Sequence, residues 1–404
     1  MATATLEADE TQFPLRIEPH AKGAVLMLVL LSFGHLVVDL YSSALGALQP
    51  LLVQKLGLTL TQVGILAGVF VLSNAVMQPF YGFLSDRFHT RMFSALGPAV
   101  AGVFVSAMGI APGYRTLMVL AVAGGAGIAA FHPQSTANAS ARMVRHKARA
   151  MAIFISSGTL GLSIGPAVFS FVSGHWGLEK IYWVALLGIS ISALMLIYLP
   201  LHEAPRRRPK VIDIEAFRPV WKPLLVLYLL VFLRSIIQLS YSQFLPLFLN
   251  LERGYTPATS SYILSFYLAA GAFGGLLGGH LADRFGERLI IQISMAGSVP
   301  LLCLFMFTRG ASSIAGLVIG GLILLFTIPV NVVMAQRLLP SQAGTISALM
   351  MGFAWGMAGL LFIPLTGWLA DHSSLQTVLR IWLVFPVIGF LLTFLLPKLD
   401  YSSK

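Results

Sequence analysis

Charge is what this chain has least of. Only 10% of its 404 residues are Asp, Glu, Lys or Arg, where a water-soluble globular domain carries roughly 25%. A soluble surface of this size cannot be built from so few charges. Cysteine is scarcer still: Cys303 stands alone, which excludes an intramolecular disulfide framework and a Cys-based zinc site. It lies in an apolar run, facing lipid or packed. The first twenty residues mix Glu7, Asp9, Glu10, Arg16 and Glu18 and lack an apolar core, so they do not read as a signal peptide. No His-Glu-x-x-His, P-loop or nucleophile elbow appears, so the motifs that would mark a metalloenzyme, a nucleotidase or a hydrolase are missing. No catalytic residue, resident metal or cofactor is expected; a membrane-embedded enzyme and a non-transporting receptor are the readings set aside.

Apolar sequence is abundant. The composition is 57% hydrophobic and the mean hydropathy is +0.84. A membrane-spanning helix needs about 20 apolar residues. By that rule twelve fit, near 23–48, 61–82, 92–111, 116–141, 150–173, 181–200, 223–249, 258–280, 289–308, 312–336, 343–366 and 377–397. The longest polar link runs from His202 to Lys222 and contains Arg206-Arg207-Arg208. It can bury no core and reads as a linker. The expected organisation is a tail (1–22), a six-helix bundle (23–200), a linker (201–222), a second six-helix bundle (223–397) and a short tail (398–404).

A repeat supports that division. Gly82-Phe83-Leu84-Ser85-Asp86-Arg87-Phe88-His89-Thr90-Arg91 returns as Gly279-His280-Leu281-Ala282-Asp283-Arg284-Phe285-Gly286-Glu287-Arg288, an offset of 197 residues (279 − 82). Each copy is a charged clasp between two apolar runs. A weaker echo, Gly367-Trp368-Leu369-Ala370-Asp371, follows the eleventh run, and Gly174-His175-Trp176-Gly177 after the fifth is fainter. Such echoes are expected if each half is itself a pair of three-helix repeats.

The formal net charge of +11 does not point to nucleic acid, because the basic residues sit in short loops at headgroup level. The terminal tails and even-numbered loops hold 19 Lys and Arg and the opposite loops six, with Arg234 left inside a span. Cytoplasmic loops carry the excess of Lys and Arg, so both termini are expected inside.

An ionisable group in the middle of a membrane helix is functional by default. His35, Asp39, His132 and Arg234 are the candidates. His35 and Asp39 are four apart and share a helix face. Residue 37, 197 before Arg234, lies between them, so the repeat places Arg234 at their depth. Asp39 is the expected proton site, with His35 sharing or orienting that proton. Arg234 offers a planar fork suited to a carboxylate or phosphonate. His132 precedes Pro133, which frees a carbonyl and can bend the helix. Tyr41, Gln238, Gln243, Asn331 and Trp355 follow as substrate-binding candidates. The plainer readings stay open: His35–Asp39 as a structural pair, Arg234 neutralising Asp39, His132 as a packing residue, and the aromatics facing lipid. In the clasps, Gly82 and Gly279 permit close helix approach. Asp86 and Asp283, beside Arg87 and Arg284, can cap a neighbouring helix and pair with Arg142 and Arg337 as gates.

Twelve helices, the long central link and the Gly-x-Leu-x-Asp-Arg clasp in both halves resemble the major facilitator superfamily over the whole chain. His35-Leu36-Val37-Val38-Asp39, Phe131-His132-Pro133-Gln134-Ser135 and Gly352-Phe353-Ala354-Trp355-Gly356-Met357-Ala358-Gly359 look like the fosmidomycin-resistance family of bacterial exporters. Gln134 stands where that family usually has Glu. Gly161-Leu162-Ser163-Ile164-Gly165-Pro166 looks like the core of the antiporter signature, with Phe169 and Ser170 replacing its later glycines. The resemblance implies an all-α membrane protein of two pseudo-symmetric six-helix bundles, with helices 1, 4, 7 and 10 around a central cavity. It also implies a monomeric inner-membrane carrier exporting a small compound against a proton; a symporter importing an organic anion uses the same residues in the opposite direction.

Overall fold

The computed structural model describes residues 19–88, 90–139, 147–200 and 214–397. Within them lie twelve helices long and apolar enough to cross a membrane: α1 (Gly23–Leu56), α2 (Leu60–Ser85), α3 (Met92–Ile110), α4 (Tyr114–Ala139), α5 (Arg149–Trp176), α6 (Leu178–Tyr198), α7 (Trp221–Leu251), α8 (Pro257–Phe285), α9 (Glu287–Phe307), α10 (Ala311–Leu338), α11 (Pro340–Asp371) and α12 (Leu375–Leu395). No strand occurs among the described residues. Helices are the natural outcome, because hydrocarbon offers no partner for an unpaired backbone group.

Most ends fall within a few residues of the expected ones, but α1 is longer. It continues past position 48 through Pro50 to Leu56, after a turn at Ser43. Gln49 and Pro50 read as a helix end in sequence, yet both are buried. Gly57 closes the helix with φ 61° and ψ 39°, its N–H donating to the Val53 carbonyl. Only glycine takes that left-handed conformation without strain. We call this face of the bundle the Gly57 side and the other the Arg91 side.

The first six helices pack among themselves through α1 on α5, α2 on α4, and α3 on α4 and α6. The last six do so through α9 on α10, α8 on α10, and α7 on α11 and α12. The halves meet along α2 with α11, α5 with α8, and α1 with α7. Small residues make these approaches possible. A Cβ on Gly64 would lie 2.8 Å from the Ile363 carbonyl, and one on Gly68 would lie 2.9 Å from the Pro364 ring. On the facing helix, Gly367 abuts the backbone of Leu60.

Every hydrogen bond between the halves among the described residues lies on the Gly57 side. Asp371 Oδ1 accepts from the Leu60 N–H (2.9 Å), and its Oδ2 accepts from the Thr61 N–H (2.8 Å) and hydroxyl (2.6 Å). Ser265 accepts from the Ala167 N–H (3.1 Å), Ser261 donates to the Ala47 carbonyl (3.4 Å), and Gln49 donates to Gln243 (3.5 Å). The seam is shut on that side. At its other end α2 exposes Val76, Phe80 and Phe83.

Candidate functional site

At the heart of the first bundle is a cluster of three ionisable side chains. His35 and Asp39 occupy one face of α1, where i and i+4 side chains stack, and α4 brings His132 to them. His35 Nε2 lies 3.3 Å from Asp39 Oδ2, and His132 Nε2 lies 3.4 Å from Asp39 Oδ1. His35 and Asp39 are 9% and 8% exposed, so water contributes little to their solvation. The imidazole of His35 stacks on Phe154 with ring centroids 4.2 Å apart and meets His132 edge-on at 5.2 Å. Its Nδ1 lies 2.8 Å from the Phe154 carbonyl oxygen. A carbonyl only accepts, so Nδ1 carries a hydrogen and donates it.

The remaining wall is α5. A Cβ on Gly158 would lie 2.6 Å from Asp39 Oδ2 and closer still to His35 Nε2. Glycine therefore lets the α5 backbone close over the cluster. Further along, a side chain at Gly161 would run into the backbone of Leu36, and one at Gly165 into that of Leu40. The stretch resembling an antiporter signature is the surface on which α1 rests. The three ligand atoms lie within 4.8 Å of one another, and from α5 the cluster meets Phe154 and Gly158.

Arg234 is also where the sequence puts a buried cation: on α7, 4% exposed. The expected meeting with Asp39 does not occur. Arg234 donates to Gln238 Oε1 (2.6 Å) and Ser235 Oγ (3.1 Å), its Nε has no partner, and no carboxylate among the described residues lies within ion-pair distance of it. Equal depth in two related helices does not set the direction in which each side chain leaves its helix, and Asp39 turns toward α4 and α5. Asn331 on α10 is fully buried with both amide atoms unpaired. The second half thus buries Arg234 and Asn331, while Asp39 is buried in the first.

Several other candidates have different surroundings. Tyr41 is fully buried; its hydroxyl donates to the Val184 carbonyl (2.7 Å) and accepts from the Gly188 N–H (2.9 Å). It ties α1 to α6. Gln243 faces Gln49 in the closed seam. Trp355 is partly buried against the main apolar core. Gln134 is held in the bundle: Oε1 accepts from the Ser94 N–H (2.8 Å) and hydroxyl, and Nε2 donates to Ser85 Oγ (3.2 Å) and the Thr90 carbonyl.

The gates also differ from expectation. A Cβ on Gly82 would sit 3.6 Å from Pro133, and one on Gly279 3.7 Å from Pro329. That is ordinary contact, so neither glycine is there to allow close approach. Arg337 pairs with Glu287 at the start of α9, four residues beyond the clasp aspartate, while Asp283 is exposed and forms no ion pair among the described residues. Arg284 lies over the Phe285 ring at 5.2 Å, and Arg87 is exposed. Arg142 and the side chain of Asp86 lie outside the described residues. Sequence reasoning missed Gly158, because a glycine's use shows only when its neighbour is known. It also missed Asp371 as a tie between halves, although the clasp echo marked the position.

Twelve helices in two six-helix halves, joined at one face around buried charge, define a membrane transporter fold. Residues 31–362 match the Major Facilitator Superfamily. The chain belongs to that superfamily, and so is a multi-pass membrane transporter rather than an enzyme. It is 28% identical over 371 residues to the Fosmidomycin resistance protein of Escherichia coli (strain K12), covering 90% of this chain and 91% of that one. It is likewise 28% identical over 383 residues to the uncharacterized MFS-type transporter YfnC of Bacillus subtilis (strain 168), covering 92% and 93%. Among solved structures it is similar to a bacterial homolog of the human lysosomal transporter Spinster, in an inward-facing and occupied conformation. That match has a TM-score of 0.79 at 15% identity, over 94% of this chain and 97% of that chain.

Proposed function

We propose that this transporter is a proton-coupled exporter of a small anionic or zwitterionic compound, working as a monomer in a bacterial inner membrane with both termini cytoplasmic. The observation that carries the reading is the hydrogen count of the His35–Asp39–His132 cluster. With a hydrogen already on Nδ1, neutral His35 would turn a lone pair toward Asp39 Oδ2 at 3.3 Å. Two lone pairs facing each other in a low-dielectric interior repel. The contact becomes favourable when one further proton sits between them, on imidazole or carboxyl. His132 serves the other carboxylate oxygen. The cluster is therefore a store for one exchangeable proton, enclosed by α1, α4 and α5. The other groups facing it are Phe131, Phe154 and the Gly158 backbone, and none of them titrates.

Substrate class follows from Arg234. A buried guanidinium without a carboxylate partner is costly, and an incoming acid group would relieve it with paired hydrogen bonds. Export is supported by the relative named for fosmidomycin resistance. The excess of Lys and Arg on the Arg91 side supports a cytoplasmic position for that face, which makes the present state, sealed on the Gly57 side, an inward-facing one. In the cycle, the cluster takes a proton while open outward. It releases that proton inward as substrate enters near Arg234, and the loaded halves rock back.

Purified protein in proteoliposomes under an imposed pH gradient tests this. Asp39→Asn abolishes gradient-driven accumulation while leaving substrate exchange intact. Undiminished concentrative transport by that variant removes Asp39 from coupling, and accumulation in the direction of proton entry makes the protein a symporter.

A further inference from the structure

The aspartate that ends α11 serves no helix of its own half. We infer that Asp371 is a removable cap on the first turn of α2, and that it latches the two halves together on the Gly57 side. The inference rests on the alternating-access reading above.

The hydrogen-bonding of that turn supports it. The first N–H groups of a helix have no partner within it. In α2 part of the need is met locally by a capping box: Thr59 Oγ1 accepts from the Gln62 N–H (3.1 Å) and Gln62 Oε1 accepts from the Thr59 N–H (3.0 Å). The two N–H groups left over, of Leu60 and Thr61, are taken by the two oxygens of Asp371, which also holds the Thr61 hydroxyl. Their lengths of 2.6 to 2.9 Å are those of charge-assisted bonds, and the carboxylate sits at the positive end of the helix dipole. These are the shortest hydrogen bonds between the halves among the described residues; the others run from 3.1 to 3.5 Å. Gly367 and Gly64 let α11 come close enough for a side chain as short as Asp to reach.

Among the described residues the same chemistry occurs once more, and there it crosses no seam. At the start of α12, Ser374 Oγ accepts from the Thr377 N–H (3.0 Å), and Glu252 accepts from the N–H groups of Leu375 (2.6 Å) and Gln376 (2.9 Å). Donor and acceptor there both belong to the second half. In the related seam between α5 and α8 no latch can form, because the residue 197 before Asp371 is Gly174, and the start of α8 is capped by its own Thr256. The latch is one-sided. Opening the Gly57 side must break three bonds at Asp371, while the water that enters can satisfy the freed N–H groups.

The test uses the full chain in detergent, with Cys303→Ser and Ser261→Cys. Ser261 is 1% exposed and touches α1 in the seam, so a thiol there reacts with a hydrophilic maleimide only when the Gly57 side opens. Asp371→Ala should raise the labelling rate about tenfold, the shift that 1.4 kcal/mol produces. Thr61→Val, which removes one bond of three, should raise it about two- to threefold by the same conversion. Glu252→Ala should lower thermal stability comparably yet leave labelling at the parent rate. Labelling of Asp371→Ala and Thr61→Val within experimental error of the parent, or an equal rise in Glu252→Ala, overturns the latch. Labelling needs neither substrate nor gradient, so a failure of the export assay leaves this result standing.

Discussion

Gly158→Ala adds one methyl group where α5 closes over the proton cluster. An ideal Cβ there lies 2.6 Å from Asp39 Oδ2 and nearer to His35 Nε2, whereas ordinary non-bonded contact needs about 3.5 Å. Helix and cluster must separate by roughly 1 Å. Overpacking of this kind costs about 1–3 kcal/mol, offset by about 0.5–1 kcal/mol from the better helix propensity of alanine. The larger consequence is local. The 2.8 Å bond from His35 Nδ1 to the Phe154 carbonyl crosses that gap; stretched by that amount it is no longer a hydrogen bond, and the imidazole that faces Asp39 loses its anchor. Gradient-driven transport in inside-out vesicles should fall about ten- to a hundredfold, while exchange of substrate without a gradient persists. Gly161→Ala is the comparison, because its methyl group meets the Leu36 backbone and not the cluster. The reasoning is refuted if Gly158→Ala keeps parental proton-driven transport, or if Gly161→Ala uncouples equally at matched thermal stability.

Two further outcomes separate packing from chemistry. Gln134→Glu at neutral pH replaces an amide that both donates and accepts with an acceptor-only carboxylate, so the bond to the Thr90 carbonyl is lost while the Ser85 hydroxyl can turn to donate; the melting temperature should drop by the equivalent of about 1–3 kcal/mol, and an unchanged melt would contradict the network. Glu287→Gln should destabilise the Arg91 side of the second half by about 1–3 kcal/mol, since Glu287 is 3% exposed and its bond to Arg337 loses the carboxylate charge. Asp283→Asn, at an exposed position, should stay within about 0.5 kcal/mol; equal effects would restore Asp283 as the gate partner.

Lipid made the architecture legible before any coordinates. A bilayer leaves few options for a chain with this many long apolar runs, and the duplicated clasp located the midpoint. His35 and Asp39 were legible because two residues four apart on one helix must share a face. What sequence could not convey was direction between helices. Arg234 is buried on its helix but does not pair with Asp39, since azimuth depends on packing. Tyr41, two residues after Asp39, looked like a cavity residue, yet two steps along a helix turn a side chain through about 200°, enough to carry it from α4 toward α6. The acid that pairs with Arg337 lies within the repeated clasp itself, as Glu287, at a place where the first copy has Thr90.

In the α2–α11 contact, Gly64 and Gly367 meet backbone, and further along Gly68, Gly359 and Gly356 face Pro364, Val71 and Ala75, so a glycine stands opposite each of these side chains. A joint without teeth can roll. Interdigitated residues would have to climb over one another during each swing of the lobes, and that climb would slow turnover. Here the rolling surface stays smooth, so resistance is concentrated at the rim, where a few polar fingers grip and let go.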